Sequence, residues 1–416
     1  MKYFVIYLLF LPLTSNAQQL WTLESTVNHA VKTSPLMSVA NAEIQSAEGS
    51  ANQAGRWPNP VVEVTATDKL GINEAIGGND LTQTAITQTI PLWKKSAEKN
   101  VAESELKSAR TDRDYQQLIL ENDAAKTFHR AQFTGALFKL AQEQLGFARS
   151  SQAGRSSRDP LVRYLSPLEK KRLTIIGELA EQELASAEGE LSEAQMGFKT
   201  LMQIPLEQGV EIEKIKEPTA KFNVRELQQK LSQHSAIETL KFKNEAAEHA
   251  VDLAKGGRVP DLSITYFREL DFLDNRRQHF NGLTLGITLP LWNFNSGEVA
   301  KARAESLKTQ NQQIAMQNEL LGKLHQTFVH FGHLTEQAEK YRTKILGPAE
   351  EVFNLTNKSF KAGEVNVLSL IDASNTYFDA RKRYVELLYE SWIELAQLRL
   401  SAGISILDTK KAEGTL

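Results

Sequence analysis

Residues 282–291 read Gly-Leu-Thr-Leu-Gly-Ile-Thr-Leu-Pro-Leu, so that Leu283, Leu285, Ile287, Leu289 and Leu291 alternate with Thr284, Gly286 and Thr288. Period two without a fault is the mark of a β-strand, and here the second face carries small residues. The pattern recurs three times. Leu262, Ile264 and Tyr266 alternate with Ser263 and Thr265, and Val62, Val64 and Ala66 alternate with Glu63, Thr65 and Thr67. The stretch Thr82–Leu92 puts Ile86, Gln88 and Ile90 on one face. Strands are therefore predicted at about 60–70, 82–92, 261–270 and 281–291. Each has the length of about ten residues that a tilted strand needs to cross a bilayer. The stretches between paired strands, Gly71–Asp80 and Leu270–Asn281, are rich in Gly, Asn, Asp and Arg and suit a water-facing rim. A soluble sandwich would carry charges on its outer faces, and these second faces carry few. The smallest spanning barrels need about eight strands, so four strands per chain must be pooled between copies. Two copies would supply eight strands and three would supply twelve.

Composition agrees with an exported, folded chain. The 416 residues hold 48 Lys plus Arg against 51 Asp plus Glu, a net charge of −3 that gives no electrostatic reason to bind nucleic acid. The absence of cysteine excludes a disulfide scaffold, a thiolate metal site, a catalytic cysteine and an acylated N-terminal cysteine. Met1–Ala17 (MKYFVIYLLFLPLTSNA) joins one lysine to an apolar run and a small-x-small ending, which reads as a signal peptide cleaved before Gln18. No later segment approaches the roughly 20 apolar residues of a spanning helix. If the mature chain sits in a membrane, it does so with strands.

An internal repeat organises the rest. Arg56-Trp57-Pro58-Asn59-Pro60 reappears as Arg258-Val259-Pro260-Asp261-Leu262, and Ile90-Pro91-Leu92-Trp93 as Leu289-Pro290-Leu291-Trp292. Ser166-Pro167-Leu168-Glu169 lies opposite Asn366-Val367-Leu368-Ser369. The shifts are 202, 199 and 200 residues, close enough to mean a duplication. The first repeat covers 18–204 and the second 223–403, with Pro205–Phe222 as the joint and 404–416 as a polar tail. Each repeat begins with a polar helix (about 22–55 and 223–255), continues with two strands, and then enters a very long helix, about 93–153 and 293–361. The second of these would reach roughly 100 Å at 1.5 Å per residue, far beyond an ordinary globular helix. Pro348 should bend that helix without ending it. The returning helix has two apolar stripes, one through Ile371, Phe378, Val385 and Trp392 with Leu388 and Leu395, and one through Ala373, Tyr377, Ala380, Tyr384 and Leu387. Two stripes imply helical neighbours on two sides, as in a wall of helices, where an isolated coiled coil would show a single seam.

These motifs (RWPNPVVEV, TQTIPLW, GITLPLW and FKAGEVNVLSLIDASNTYFDAR) resemble the TolC-like outer-membrane efflux proteins over essentially the whole mature chain. The phrasing is most similar to the branch that works with heavy-metal, cobalt–zinc–cadmium pumps. The resemblance implies a mainly α chain with a membrane β-barrel: four strands per protomer, a twelve-stranded barrel in a homotrimer, and a coiled-coil tunnel through the periplasm of a Gram-negative cell. It further implies a periplasmic adaptor protein at the tunnel tip, an inner-membrane resistance-nodulation-division pump, and outer-membrane lipid around the barrel. In the family, acidic residues just after the tip turn narrow the entrance. Carried over by position, Asp372 falls on one such place and Ser369 on the other, while in the first repeat Glu169 matches Ser369 and Arg172 lies opposite Asp372. Asp372 and Glu169 are thus the expected pore constriction, and Gly363, Glu364 and Gly154 the expected adaptor contacts at the tip. The first-repeat tip is longer, 12 positions from Gly154 to Ser166 against 3 from Gly363 to Asn366, and its insert RSSRDPLVRYL is basic, which should alter adaptor docking.

No phosphate loop, dinucleotide turn, HExxH or G-x-S-x-G pattern appears, and neither a catalytic residue nor a cofactor is expected. The one tempting cluster is His325, His330 and His333 with Glu336; His330 and His333 share a helix face, but no third ligand aligns convincingly, and no metal site is expected. The reading is an energy-free export duct for metal cations or small toxic compounds. Type I protein secretion could use the same duct, and a soluble periplasmic coiled-coil scaffold is the rival of another class.

Overall fold

The computed structural model describes residues 20–66, 82–153, 165–273 and 276–408. The expected signal peptide, the loop Gly71–Asp80, Gly154 with the insert as far as Tyr164, and the end of the tail from residue 409 lie outside the described residues. In chain order the elements are β1 (Leu20–Trp21), α1 (Leu23–Thr33), α2 (Pro35–Gln53), β2 (Val61–Ala66), β3 (Thr82–Ile90), α3 (Lys94–Ala153) and α4 (Pro167–Met202). There follow β4 (Glu211–Ile212), α5 (Val224–Leu231), α6 (Ser235–Gly256), β5 (Leu262–Leu273) and β6 (Arg276–Ile287). The chain ends with α7 (Ser296–Tyr341), a π-helical turn (Arg342–Leu346), α8 (Gly347–Ala362), α9 (Val367–Ser401) and a short 3-10 turn (Ile406–Asp408). Among the described residues no helix is long and apolar enough to cross a membrane.

The duplication is visible in the local chemistry of the helix breaks. The expected helix 22–55 is two helices, because Pro35 starts α2 at a position where its missing N–H costs nothing. The expected helix 223–255 breaks at the matching place, where the His234 ring accepts a hydrogen bond from the Ala236 N–H at 3.1 Å and caps α6. The third helix of the second repeat changes pitch just before Pro348, since the proline supplies no N–H and its ring crowds the carbonyl four residues back. The backbone answers with the π turn, in which the Gly347 N–H donates to the Arg342 carbonyl.

The chain forms two units. The first joins residues 35–117 to 225–323 and contains the four-stranded sheet, in the order β2-β3-β5-β6 with every neighbour antiparallel. Its helical core packs Leu231, Ala236, Ile237 and Leu320 with Tyr115 and Met316. Here Thr239 bridges two helices, its hydroxyl donating to Thr111 Oγ1 at 3.0 Å while its carbonyl accepts from Ser108 Oγ at 3.2 Å.

Among the described residues the second unit comprises 20–34, 118–153, 165–224 and 324–408. Each predicted stripe of α9 has a buried part, Phe378, Leu388 and Leu395 on one and Ala373, Ala380 and Leu387 on the other, while Ile371, Val385 and Trp392 of the first and Tyr377 and Tyr384 of the second are half-buried. One cluster sets Leu334, Ala338, Leu387 and Leu388 against Ile215, Tyr341 and Tyr384. Another packs Leu145, Ala148 and Ala180, where two alanines let α3 and α4 approach closely. An aromatic group fastens α3, α8 and α9: Phe353 stacks on Tyr377 at 4.7 Å and meets Phe147 edge-on at 4.9 Å.

The strand limits differ from expectation in two places. The fourth strand ends at Ile287, not 291, because Leu262 is the last residue of β5 to pair with it and Pro260, just before, has no N–H to continue the ladder. Leu289–Leu291 turns instead, with the Leu291 N–H donating to the Leu289 carbonyl at 3.0 Å. At the other end the stretch Leu270–Asn281 is not a loop. Strand pairing continues to Leu273 and resumes at Arg276, since backbone hydrogen bonding persists where apolar alternation has stopped.

Candidate functional site

Two places carry the features that bear on function: the sheet of the first unit and the helical turn between α8 and α9 of the second. Register assigns every sheet residue to a face. Val62, Ile86, Tyr266 and Leu283 lie in one row across all four strands, and the next rows on that face hold Gln88, Ile264 and Leu285, then Ile90, Leu262 and Ile287. Leu283, Leu285, Ile287, Val62 and Val64 are exposed, Leu285 by 65%. An apolar face of this breadth left bare to solvent marks an interaction surface.

The opposite face mixes small polar residues with Val61, Glu63, Phe267 and Glu269. Thr87, Thr265 and Thr284 share a row, with Thr87 Oγ1 2.9 Å from Thr265 Oγ1. Ser263 donates to the Gly286 carbonyl at 3.2 Å. The ring of Phe267 covers Gly282, and a Cβ there would lie 2.2 Å from the tip of that ring, which would have to turn aside. The apolar rows end at Arg268 and Asn281, where the Tyr266 hydroxyl donates to Asn281 Oδ1 at 3.1 Å. At the other end, Trp57, Trp93 and Trp292 are all exposed, Trp292 by 90%. Aromatic residues flanking an apolar band form the arrangement found at membrane–water interfaces. Among the described residues, β2 and β6 each keep one edge unpaired.

In the second unit, α8 stops at Gly363, whose φ of 83° lies in the left-handed region. The Gly363 N–H donates to the Phe360 carbonyl at 3.1 Å and the Glu364 N–H to the Ser359 carbonyl at 2.9 Å, which closes the helix end. Asn366 then caps α9, accepting from the Ser369 N–H at 2.9 Å and the Ser369 hydroxyl at 3.2 Å. The matching residue of the first repeat, Ser166, caps α4 in the same way, so the 200-residue shift superposes two helix caps.

The residues singled out by sequence occupy different settings. Asp372 is exposed while Leu370, Ala373 and Ser374 around it are buried. Glu169 completes the cap of its own helix, its Oε2 accepting from the Ser166 N–H at 2.9 Å and the Ser166 hydroxyl at 3.0 Å. The two carboxylates lie on separate helices, α9 and α4. Gly363 and Glu364 form the described turn, and Gly154 lies outside the described residues. His330 meets Glu394 of α9, Nδ1 to Oε2 3.3 Å. Among the described residues no three His, Asp or Glu side chains converge to hold a metal.

Sequence reasoning missed a strap, residues 213–217, laid across α3 and α9. Gln132 Nε2 donates to the Glu213 carbonyl at 2.8 Å and Trp392 Nε1 to the Lys216 carbonyl at 2.6 Å. Glu217 takes Arg342 of the π turn at 3.0 Å and the Tyr384 hydroxyl. Burial and the Glu217 carboxylate push the Tyr384 hydroxyl well above its ordinary pKa. Beneath the strap His129 is buried, stacked on Trp392 at 4.6 Å, with Nδ1 2.9 Å from Gln132 Oε1. Burial drives its pKa down to about 4, which the Gln132 contact opposes and Arg399 reinforces. Apart from His129 and Gln132, three residues apart on α3, these partners are far apart in sequence, and no local signal announces them.

Comparison with known proteins accords with this geometry. Residues 227–404 match the family described as outer membrane efflux protein. The chain is 26% identical over 384 residues to the cobalt-zinc-cadmium resistance protein CzcC of Cupriavidus metallidurans, covering 89% of this chain and 87% of that one. Its fold is that of the outer membrane protein VceC of Vibrio cholerae (TM-score 0.75, 16% identity, 92% of this chain and 96% of that one). It is also that of the open-state MtrE outer membrane channel of Neisseria gonorrhoeae (TM-score 0.77, 14% identity, 92% and 89%). Four strands and paired long helices in duplicate, closed by matching caps, fit the match of residues 227–404 to the outer membrane efflux protein family.

Proposed function

We propose that the chain is the outer-membrane duct of a tripartite efflux system, a passive path for metal cations or small toxic compounds driven by an inner-membrane pump through a periplasmic adaptor. It is an outer-membrane protein with helices extending into the periplasm. The observation that carries the reading is the four-stranded sheet with one apolar exposed face and two unpaired edges. An open edge is an invitation to pair, and closure is the way a sheet survives in lipid. Joining β2 of one copy to β6 of the next satisfies both edges. Three copies give twelve strands, which is the assembly the family resemblance implies, with the Thr and Gly face lining the lumen and the Leu and Ile face in lipid.

The metal preference rests on the similarity to a cobalt-zinc-cadmium resistance protein. The chain itself contributes shape and charge to the path and no catalytic step. A scaffold in the periplasm would have no use for the bare leucine face. The test is fractionation followed by recording: the protein should stay with the outer membrane, cross-link as a trimer through β2 and β6, and conduct ions in planar bilayers. A monomer released with the periplasm and silent in bilayers would end the reading.

A further inference from the structure

Where α2 runs into β2, the chain leaves a cleft of about 780 Å³ between the end of α2, the link Arg56–Pro60 and the first turn of α3. Gln53, Arg56, Trp57, Asn59, Lys95 and Glu98 line it. Lys95 Nζ lies 2.6 Å from Glu98 Oε2. Arg56 spends only Nε on the protein, donating to the Asn52 carbonyl at 2.8 Å, and among the described residues no carboxylate pairs with it. The lining thus presents an uncompensated guanidinium next to an ammonium–carboxylate pair, with amide groups between and an exposed indole at the rim.

The duplication supplies an internal control. At the equivalent place of the second repeat, Arg258 matches Arg56, but Val259 replaces Trp57, Asp261 replaces Asn59, and Phe294 and Gly297 replace Lys95 and Glu98. There Asp261 is tied to Lys94 at 3.1 Å, and Asn295 fills the space, donating to the Ala254 carbonyl at 2.8 Å. A Cβ on Gly257 would sit 2.5 Å from the Asn295 amide. One copy of the scaffold is therefore closed and the other open and charged.

We propose that this cleft binds the headgroup of an amine-bearing, zwitterionic glycerophospholipid from the leaflet on the helix side of the sheet. The phosphate would sit on Arg56 and Lys95 and the amine on Glu98. The inference rests on the proposed membrane position of β2. Charge order matches such a headgroup group for group, and charge-assisted bonds to phosphate are the strong ones. The exposed Trp57 and Trp93 sit where aromatic side chains meet the headgroup layer. Lys and Glu are depleted from the cores of protein interfaces, which argues against a second copy as the occupant.

Native mass spectrometry of the detergent-purified full chain tests this, with phosphatidylethanolamine, phosphatidylglycerol and inorganic phosphate as separate probes. Arg56→Ala with Lys95→Ala should weaken phosphatidylethanolamine retention about tenfold, the loss of about one charge-assisted contact. Glu98→Gln should erase the preference for phosphatidylethanolamine over phosphatidylglycerol, and Arg258→Ala should change neither. Equal loss in Arg258→Ala would reduce the effect to general charge and overturn the proposal. Displacement of the lipid by inorganic phosphate alone would reassign the cleft to a free anion. Unchanged lipid retention with loss of trimer in the double variant would make it an interface between copies. If the wild type conducts in bilayers but shows no lipid preference, only this inference falls, whereas failure to insert removes the membrane reading with it.

Discussion

Arginine placed on the two faces of β6 should separate them by energy. Leu285 lies in the middle of three apolar rows, one row of about 6.8 Å from Leu283 and one from Ile287. Its neighbour Thr284 faces the opposite way, in the row of Thr87 and Thr265. If the leucine face meets lipid, Leu285→Arg should cost about 2–4 kcal/mol per protomer, the depth-dependent range for a cation near the midplane. Leu283→Arg should cost less, because Arg268 and Asn281 in the next row mark the polar boundary toward which the new side chain can reach. Thr284→Arg, into a water-filled lumen, should cost below about 1 kcal/mol. The milder Leu285→Ala removes three carbons at about 0.8 kcal/mol each from a side chain whose residue is 65% available to lipid, about 1.5 kcal/mol. Folding into phospholipid vesicles across a urea series, read by the gel mobility of the heat-sensitive folded form, measures all four. Equal penalties at 284 and 285, or a larger one at 284, would refute the assignment of faces and with it the closed barrel.

Three further expectations concern the helical unit. Ser166→Ala should cost about 1 kcal/mol at the start of α4 and speed amide exchange in its first turn, whereas Glu169→Gln should leave exchange nearly unchanged, since glutamine serves equally at that place in the cap. Asp372→Asn should weaken cation preference in single-channel recordings, because three carboxylates around a three-fold axis would concentrate negative charge; an unchanged preference removes Asp372 from the constriction. His129, with its pKa held at about 4, should make the protein less stable as pH falls from about 6.5 to 4. In that window the unfolded ring binds a proton that the buried ring refuses, a loss of at most about 3 kcal/mol that His129→Gln should flatten in urea midpoints followed by near-ultraviolet circular dichroism.

The tip residues show how local cues and distant contacts divided the work. Ser166 and Asn366 are landmarks of the repeat, and their capping role follows from residue type at a helix start. The reach of Glu169 back to Ser166 is equally local, three residues along one helix. In the sequence Arg56 and Trp57 are only repeat markers, because a cleft exists only once the end of α2 and the start of α3 are brought together. The strap that gathers Gln132, Arg342, Tyr384 and Trp392 joins parts of the chain up to 176 residues apart through backbone carbonyls and one carboxylate.

The order of amino acids alone carries periodicity: alternating strands, long helices, a duplication, and the two apolar stripes of α9. Those properties follow from side-chain spacing along one segment, which geometry converts directly into faces. Tertiary packing sets where strands stop, since a strand ends when its partner can no longer supply hydrogen bonds, as happens beyond the Leu262–Ile287 pair. It also decided which polar groups are buried together, because burial depends on what arrives from elsewhere in the chain and no pattern within a single segment records it.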